Sequence, residues 1–250
     1  MLDTDQASEQ FRRDGVVHLP GFLSRAEIDE LDANLARYVA DVVPTLPPTD
    51  AFYEVAGDRR ALKQMQRITD HDAYFDEFRR RTKYVQLAEL LLEGPVCSQG
   101  VEWFNKPAGI GKPTPPHQDG FYFCLKPDEA VTMWIALDDV DESNGCVRYL
   151  RGSHREGIRP HGRSAVLGFS QTILDFSPPD GPREFVGIVR RGDALVHHSA
   201  TIHWADANRS VRERRAFGMV YYSARAQRDE AAFARYLESS RNQQRALGAV

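Results

Sequence analysis

The sequence predicts a mainly β domain with flanking α-helices, centred on an antiparallel barrel or double sheet. Three observations carry this. Apolar positions over the first ~95 residues recur at helical spacing. From about residue 96 the pattern changes to short β-rich runs separated by Gly, Pro, Asn and Asp, and a helical period returns only near residue 229. At 250 residues the chain fits one domain, because all-β sandwiches and barrels commonly reach ~200–250 residues without splitting. No internal repeat or glycine-rich phosphate loop suggests a second domain. The expected division is a mostly helical part over 1–95, a β core over 96–225 and a C-terminal helix over 226–250.

In chain order, Val16-Val17-His18-Leu19, between Gly15 and Pro20, is a short strand candidate. Ser24-Arg25-Ala26-Glu27 is a capping box; Ile28, Leu31, Leu35, Tyr38 and Val42 follow at helical spacing until Pro44 stops the run. Thr82 can cap another helix, with Val85, Leu87, Leu90 and Leu91 near its buried side and Gly94-Pro95 ending it. Strands are then expected over 100–106, 114–123, 131–137, 146–150, 184–189, 194–198 and 214–222. The stretch 161–182 is rich in Gly, Ser and Pro but interrupted by Val166, Leu167, Phe169, Ile173, Leu174 and Phe176, which favours a lid over a plain connection. Residues 229–247 read as a terminal helix with Phe233, Tyr236 and Leu237 inward.

Composition bounds the function. A hydrophobic fraction of 42% and a charged fraction of 27% are those of an ordinary globular protein, and a net charge of −4 gives no basic face for nucleic acid. No stretch approaches the ~20 apolar residues a bilayer span needs, and Met1-Leu2-Asp3-Thr4-Asp5 lacks the basic-then-apolar run of a secretory signal, so the cytoplasm is the expected compartment. Cys97, Cys124 and Cys146 are scattered, which argues against a disulfide framework and a thiolate zinc site. The oligomeric state is left open.

His117-Gln118-Asp119 carries the chemistry. On a strand, an imidazole and a carboxylate two residues apart project from one face and can grip a single metal ion, although a buried histidine bonded to a nearby carboxylate is also a common structural device. Pro115-Pro116 before the pair and Gly120-Phe121-Tyr122-Phe123 after it suggest an aromatic mouth. A second imidazole could come from His203, eleven positions before Arg214, or from His197 or His198. The last two point to opposite faces of a strand beginning at Ala194, so at most one is inward. Two imidazoles and one carboxylate would suit iron(II), with an arginine beside them for an acidic cosubstrate; spacing alone does not choose among the histidines.

The chain resembles the phytanoyl-CoA dioxygenase family of iron(II)- and 2-oxoglutarate-dependent oxygenases. The matching residues are Phe104-Asn105-Lys106-Pro107, His117-Gln118-Asp119, Trp134-Ile135-Ala136-Leu137-Asp138-Asp139-Val140, Asn144-Gly145-Cys146, Gly152-Ser153-His154, Gly192-Asp193, His198, His203, Asn208-Arg209-Ser210 and Arg214. They run in one consistent order, and 11–23 looks like the family's N-terminal helix and strand. The resemblance implies a double-stranded β-helix (a cupin-like jelly roll), with His117, Asp119 and His203 binding iron and Arg214 holding the far carboxylate of 2-oxoglutarate. Lys106 and Trp134 match positions that often touch the cosubstrate. The expected reaction consumes 2-oxoglutarate and O2, releases succinate and CO2, and oxidises a small-molecule substrate. A carboxylate at 119, where halogenating relatives carry a small residue, points to hydroxylation.

Three departures accompany the match. Ala205 stands where many relatives carry a serine that bonds the cosubstrate, Arg151 replaces a proline before Gly-Ser-His, and His154 is read as structural because three ligands are already in hand. Arg148 is read as a solvated residue of the outer sheet face, with an acidic-substrate contact as its alternative. Two other functions stay open at this stage: a hydrolase or isomerase using the metal as a Lewis acid, and a ligand-binding relative without turnover.

Overall fold

The computed structural model describes residues 4–55, 57–166, 169–177 and 183–246, and places two antiparallel sheets face to face at its centre. Helix α1 (Thr4–Asp14) leads into strand β1 (Val16–Leu19) and helix α2 (Arg25–Arg37). Helix α2 starts where its capping box predicts: the Ser24 hydroxyl accepts the Glu27 N–H while the Ser24 N–H donates to the Glu27 carboxylate. It continues through a π-helical turn and ends in a short 3-10 turn containing Pro44. Next come β2 (Ala51–Tyr53), β3 (Leu62–Met65), α3 (Ile68–His71), α4 (Ala73–Phe78) and α5 (Thr82–Leu91), then β4 (Val96–Lys106), β5 (Thr114–His117), α6 (Asp119–Phe123), β6 (Leu125–Lys126), β7 (Ala130–Ala136) and β8 (Val147–Leu150). The chain finishes with β9 (His161–Val166), β10 (Phe169–Ile173), β11 (Glu184–Gly187), β12 (Ala194–His198), β13 (His203–Ala205), β14 (Arg214–Ser223), β15 (Gln227–Arg228) and α7 (Glu230–Ala246).

The larger sheet runs β1-β12-β7-β14-β4-β3-β2 and the smaller runs β11-β8-β13-β5. Together with the flanking helices this is the expected jelly-roll core. Strand β7 shows why the sheet sits in the middle of the molecule: all seven of its residues are buried. Val131, Met133 and Ile135 face the helices, packing in one apolar core with Phe11, Leu31, Phe75, Phe78 and Leu87, whereas Trp134 and Ala136 face the smaller sheet beside Val147 and Tyr149. Period-2 alternation is thus hidden in β7, because both faces want apolar groups.

Several expectations need correction. The strand expected over 114–123 ends at His117, and Asp119 opens the short helix α6. Thr82 is the first helical residue of α5, with Arg81 before it in extended conformation and no side-chain cap. Besides the expected strand β1, the 1–95 part contributes two unexpected strands, β2 and β3, to the larger sheet. The proposed lid over 161–182 contains an antiparallel hairpin, β9 with β10, rather than an irregular loop; Leu167 and residues 178–182 of that stretch, and Leu247 of the terminal helix, lie outside the described residues. Helix α7 turns Phe233, Tyr236 and Leu237 to its half-buried side as expected, and Gln243 and Ser239 tie it to the hairpin through Ser164 and Gln171.

Candidate metal and cosubstrate site

The smaller sheet brings the two imidazoles together by register. His203 of β13 pairs directly with His117 of β5, so both rings lie on one face of the antiparallel ladder with centroids 4.1 Å apart. Gln118 then turns the chain. Its side-chain amide donates to Gly157 O and Ala200 O, and its carbonyl accepts from Arg159 N, which leaves His117 and Asp119 on the opposite side of the backbone. Gly120 closes the turn: a Cβ there would stand 2.5 Å from Asp128 Oδ1, so only glycine allows α6 to sit so close.

Asp119 Oδ1 lies 3.7 Å from His117 Nε2 and 3.6 Å from His203 Nε2. One ligand atom from each of the three residues falls within 4.8 Å of the others, and the group fits a divalent metal on further grounds. His117 Nδ1 lies 2.8 Å from Pro115 O and His203 Nδ1 lies 3.0 Å from Thr201 O. Each Nδ1–H is thereby held by a carbonyl, and each Nε2 turns its lone pair inward, the tautomer a metal requires. Burial pushes both imidazoles below their ordinary range. Burial alone would raise Asp119, but the imidazoles of His203 and His197 outweigh it and hold the carboxyl well below the usual range. Neutral rings beside an ionised carboxylate need lose no proton to accept a cation.

Two neighbours orient the carboxylate. Thr132 Oγ1 donates to Asp119 Oδ2 at 2.6 Å, and His197 Nε2 lies 3.1 Å from the same oxygen. The Tyr149 hydroxyl, 3.3 Å from His197 Nδ1, completes the chain. Oδ2 is therefore engaged by protein while Oδ1 faces the imidazoles. The sequence offers His197 and His198 as rivals of His203, at most one of them inward, and matches only His198 to the family. Alternation decides the matter: His197 pairs with Thr132 across β12 and β7 and faces inward, whereas His198 turns outward to Phe11 and His154. The inward polar residue Thr132 was the available signal.

Arg214 opens β14 directly opposite Lys106 at the end of β4. Its guanidinium is buried, its Nε has no hydrogen-bond partner, and it forms no ion pair among the described residues. Its carbon Cζ lies 5.4 Å from the Trp134 ring centre. Burial lowers Arg214 to about 10, still cationic at neutral pH. Lys106 Nζ donates to Lys112 O at 2.5 Å, and burial, reinforced by the Arg214 charge, moves it well below the ordinary lysine range. All six sequence-predicted residues, His117, Asp119, His203, Arg214, Lys106 and Trp134, line one cavity of about 210 Å³. Ala205 lines it too, with a methyl where a serine would offer a hydroxyl.

The outward residues behave as structure. Arg148 meets Glu142, Glu184 and Asp206 at 2.7, 2.8 and 3.0 Å, and Arg215 faces away from the cavity onto Asp138. His154 packs under Gly15 near Arg12 O. Asn208, one of the family-matching residues, donates to Lys106 O and Arg212 O and so fixes the loop that presents Arg214.

The model of the phytanoyl-CoA dioxygenase (PhyH) family matches residues 11–216. The chain belongs to the phytanoyl-CoA dioxygenase family. Rice phytanoyl-CoA dioxygenase 1 is 27% identical over 250 residues, covering 86% of this chain and 88% of that protein. The rat peroxisomal phytanoyl-CoA dioxygenase is 25% identical over 228 residues, covering 86% of this chain and 67% of that one. Among solved structures, the epimerase SnoN in complex with Fe3+, α-ketoglutarate and nogalamycin RO superposes with a TM-score of 0.71 at 25% identity, over 89% of this chain and 84% of that one. EvdO2 from Micromonospora carbonacea var. aurantiaca, complexed with 2-oxoglutarate, gives 0.70 at 25% identity over 91% and 93%. As a phytanoyl-CoA dioxygenase family member, the chain is a non-haem iron- and 2-oxoglutarate-dependent oxygenase, and the hydrolase and non-catalytic alternatives give way to that class. Among the described residues no helix is long and apolar enough to cross a membrane.

Proposed function

We propose that the chain hydroxylates a small-molecule metabolite, with His117, Asp119 and His203 as the ligands of Fe(II) and Arg214 as the anchor of 2-oxoglutarate. The observation that carries the assignment is the buried, unpaired guanidinium of Arg214 in the same cavity as the three-ligand cluster. An isolated buried cation is costly, and a planar guanidinium offers two parallel donors that match a carboxylate. When bound, iron with 2-oxoglutarate and O2 supplies the oxidising power, and succinate and CO2 are the co-products.

The chain's own residues do the rest. Arg214 orients the distal carboxylate, Trp134 walls it in, and the Lys106 side chain lines that end of the cavity beside Arg214. Thr132 and His197 hold Asp119 Oδ2, so that Oδ1, facing His117 and His203, would be the oxygen offered to Fe(II). The whole chain is taken as one oxygenase unit. Three scattered cysteines with no Cys-x-x-Cys pair and a net charge of −4 support a cytoplasmic enzyme without a nucleic-acid partner.

The test is anaerobic 2-oxoglutarate titration of the ferrous protein, followed by a succinate-release screen. Arg214→Ala is expected to weaken 2-oxoglutarate at least ~30-fold, the cost of removing one partner of a buried charge pair. Unchanged affinity would refute the Arg214 assignment.

A further inference from the structure

The cavity is electrically polarised along β4. Lys106, Phe104 and Glu102 alternate with Trp103 and Val101, which belong to the apolar core, so the first three share the cavity face. Lys106 pairs with Arg214 and Glu102 pairs with Gly218, which separates the cationic end from Glu102 by about 13 Å of strand. Gln64 of β3 pairs with Phe104 and also lines the cavity. Gln64 is 3% exposed; its amide donates to Glu102 Oε2 at 3.0 Å while its own Oε1 is buried with no partner. Glu102 forms no ion pair among the described residues.

Gln64 Oε1 is thus a buried acceptor with no donor, beside a carboxyl whose hydrogen bond among the described residues is the one Gln64 gives to Oε2, and a buried acceptor left unmatched carries a desolvation cost. The dicarboxylate cosubstrate is not the partner, because Glu102 would repel it while Arg214 attracts it. Resting on the reading of Arg214 as the cosubstrate end, we propose that the primary substrate presents paired hydrogen-bond donors, a vicinal diol or an ammonium group, to Glu102 and Gln64. Phe104, Tyr122 and Phe123 supply flat walls for the ring or chain that carries those donors. Burial pushes the Glu102 carboxyl up to about 7, a state a bound ammonium would reverse and a diol would tolerate. A purely apolar substrate head would leave Gln64 Oε1 without a donor.

The test uses matched fragments on the anaerobic protein loaded with Fe(II) and 2-oxoglutarate, read by calorimetry: trans-1,2-cyclohexanediol, cyclohexylamine and the donor-free 1,2-dimethoxycyclohexane. One of the two donor fragments is expected to bind about tenfold more tightly than the dimethoxy compound, the value of one well-made hydrogen bond with a charged acceptor. Glu102→Leu should abolish that preference. Glu102→Gln, which preserves volume, should abolish it for the amine and keep it for the diol, so the pair of variants separates the two donor chemistries. Dimethoxycyclohexane binding as well as either donor fragment, failure of both donor fragments to bind at millimolar concentration, or a preference that survives Glu102→Leu would overturn the proposal. Titration of 2-oxoglutarate in the same preparation reports separately: if it does not bind the unaltered protein, the cosubstrate reading fails instead.

Discussion

Asp119 reaches the cavity from the first turn of α6, with Oδ1 turned to the two imidazoles and Oδ2 engaged by Thr132 and His197. Replacing His197 with alanine is expected to weaken metal affinity about 10- to 100-fold without removing a ligand, as loss of an outer partner typically does; equal affinity in a metal titration would show that Thr132 alone suffices. Glu102 gives a stability signature. Its folded-state value of about 7 lies above the ordinary 4.5, so its contribution is full below pH 4.5 and is lost as pH rises through 7. Denaturant melts of the metal-free protein should therefore show its stability relative to Glu102→Gln falling between pH 4.5 and 7, and parallel curves would contradict this. The ligand residues and Arg214 could be read from the chain because their chemistry and order matched a family. Glu102, Gln64 and His197 could not, since their roles depend on which strands are neighbours.

Among the elements, the capping box of α2 and the β-rich rhythm after residue 96 were legible because both are local. Strand β13 was missed because it is three residues long and its sequence, His203-Trp204-Ala205, has no alternation to display. The premise that His117 and Asp119 share a strand face was mistaken in mechanism: the pair converges because Gln118 anchors a strand-to-helix turn. That turn is testable. Gly120→Ala brings a Cβ against the Asp128 carboxylate and should cost roughly 1–3 kcal/mol in stability, in the range of overpacked sites, while lowering metal affinity. Unaltered melting and metal binding would show that α6 does not set the Asp119 position. Strands β2 and β3 escaped notice because they lie in a segment dominated by helical spacing, yet β3 brings Gln64 to the cavity.

For the molecule as a whole, the larger sheet supplies the cavity floor and the smaller sheet supplies both imidazoles, so the site exists only when the two sheets face each other. A metal that binds this folded arrangement and not the unfolded chain must stabilise it by about 2.7 kcal/mol at a hundredfold excess over its dissociation constant. Thermal melts with and without Mn2+ as a redox-silent substitute should show that gain in the unaltered protein and its absence in His203→Ala. The jelly-roll class was legible from the change of rhythm and the family motifs; the pairing order of the strands, which makes one end of the cavity cationic and the other acidic, was not.

The decisive measurement is an anaerobic Fe(II) titration of the unaltered protein beside His117→Ala, Asp119→Ala and His203→Ala. One ferrous ion per unaltered chain, with affinity reduced at least about a hundredfold in each variant, is the expected result. Tight stoichiometric binding that persists in His203→Ala would contradict a shared centre formed by these three side chains.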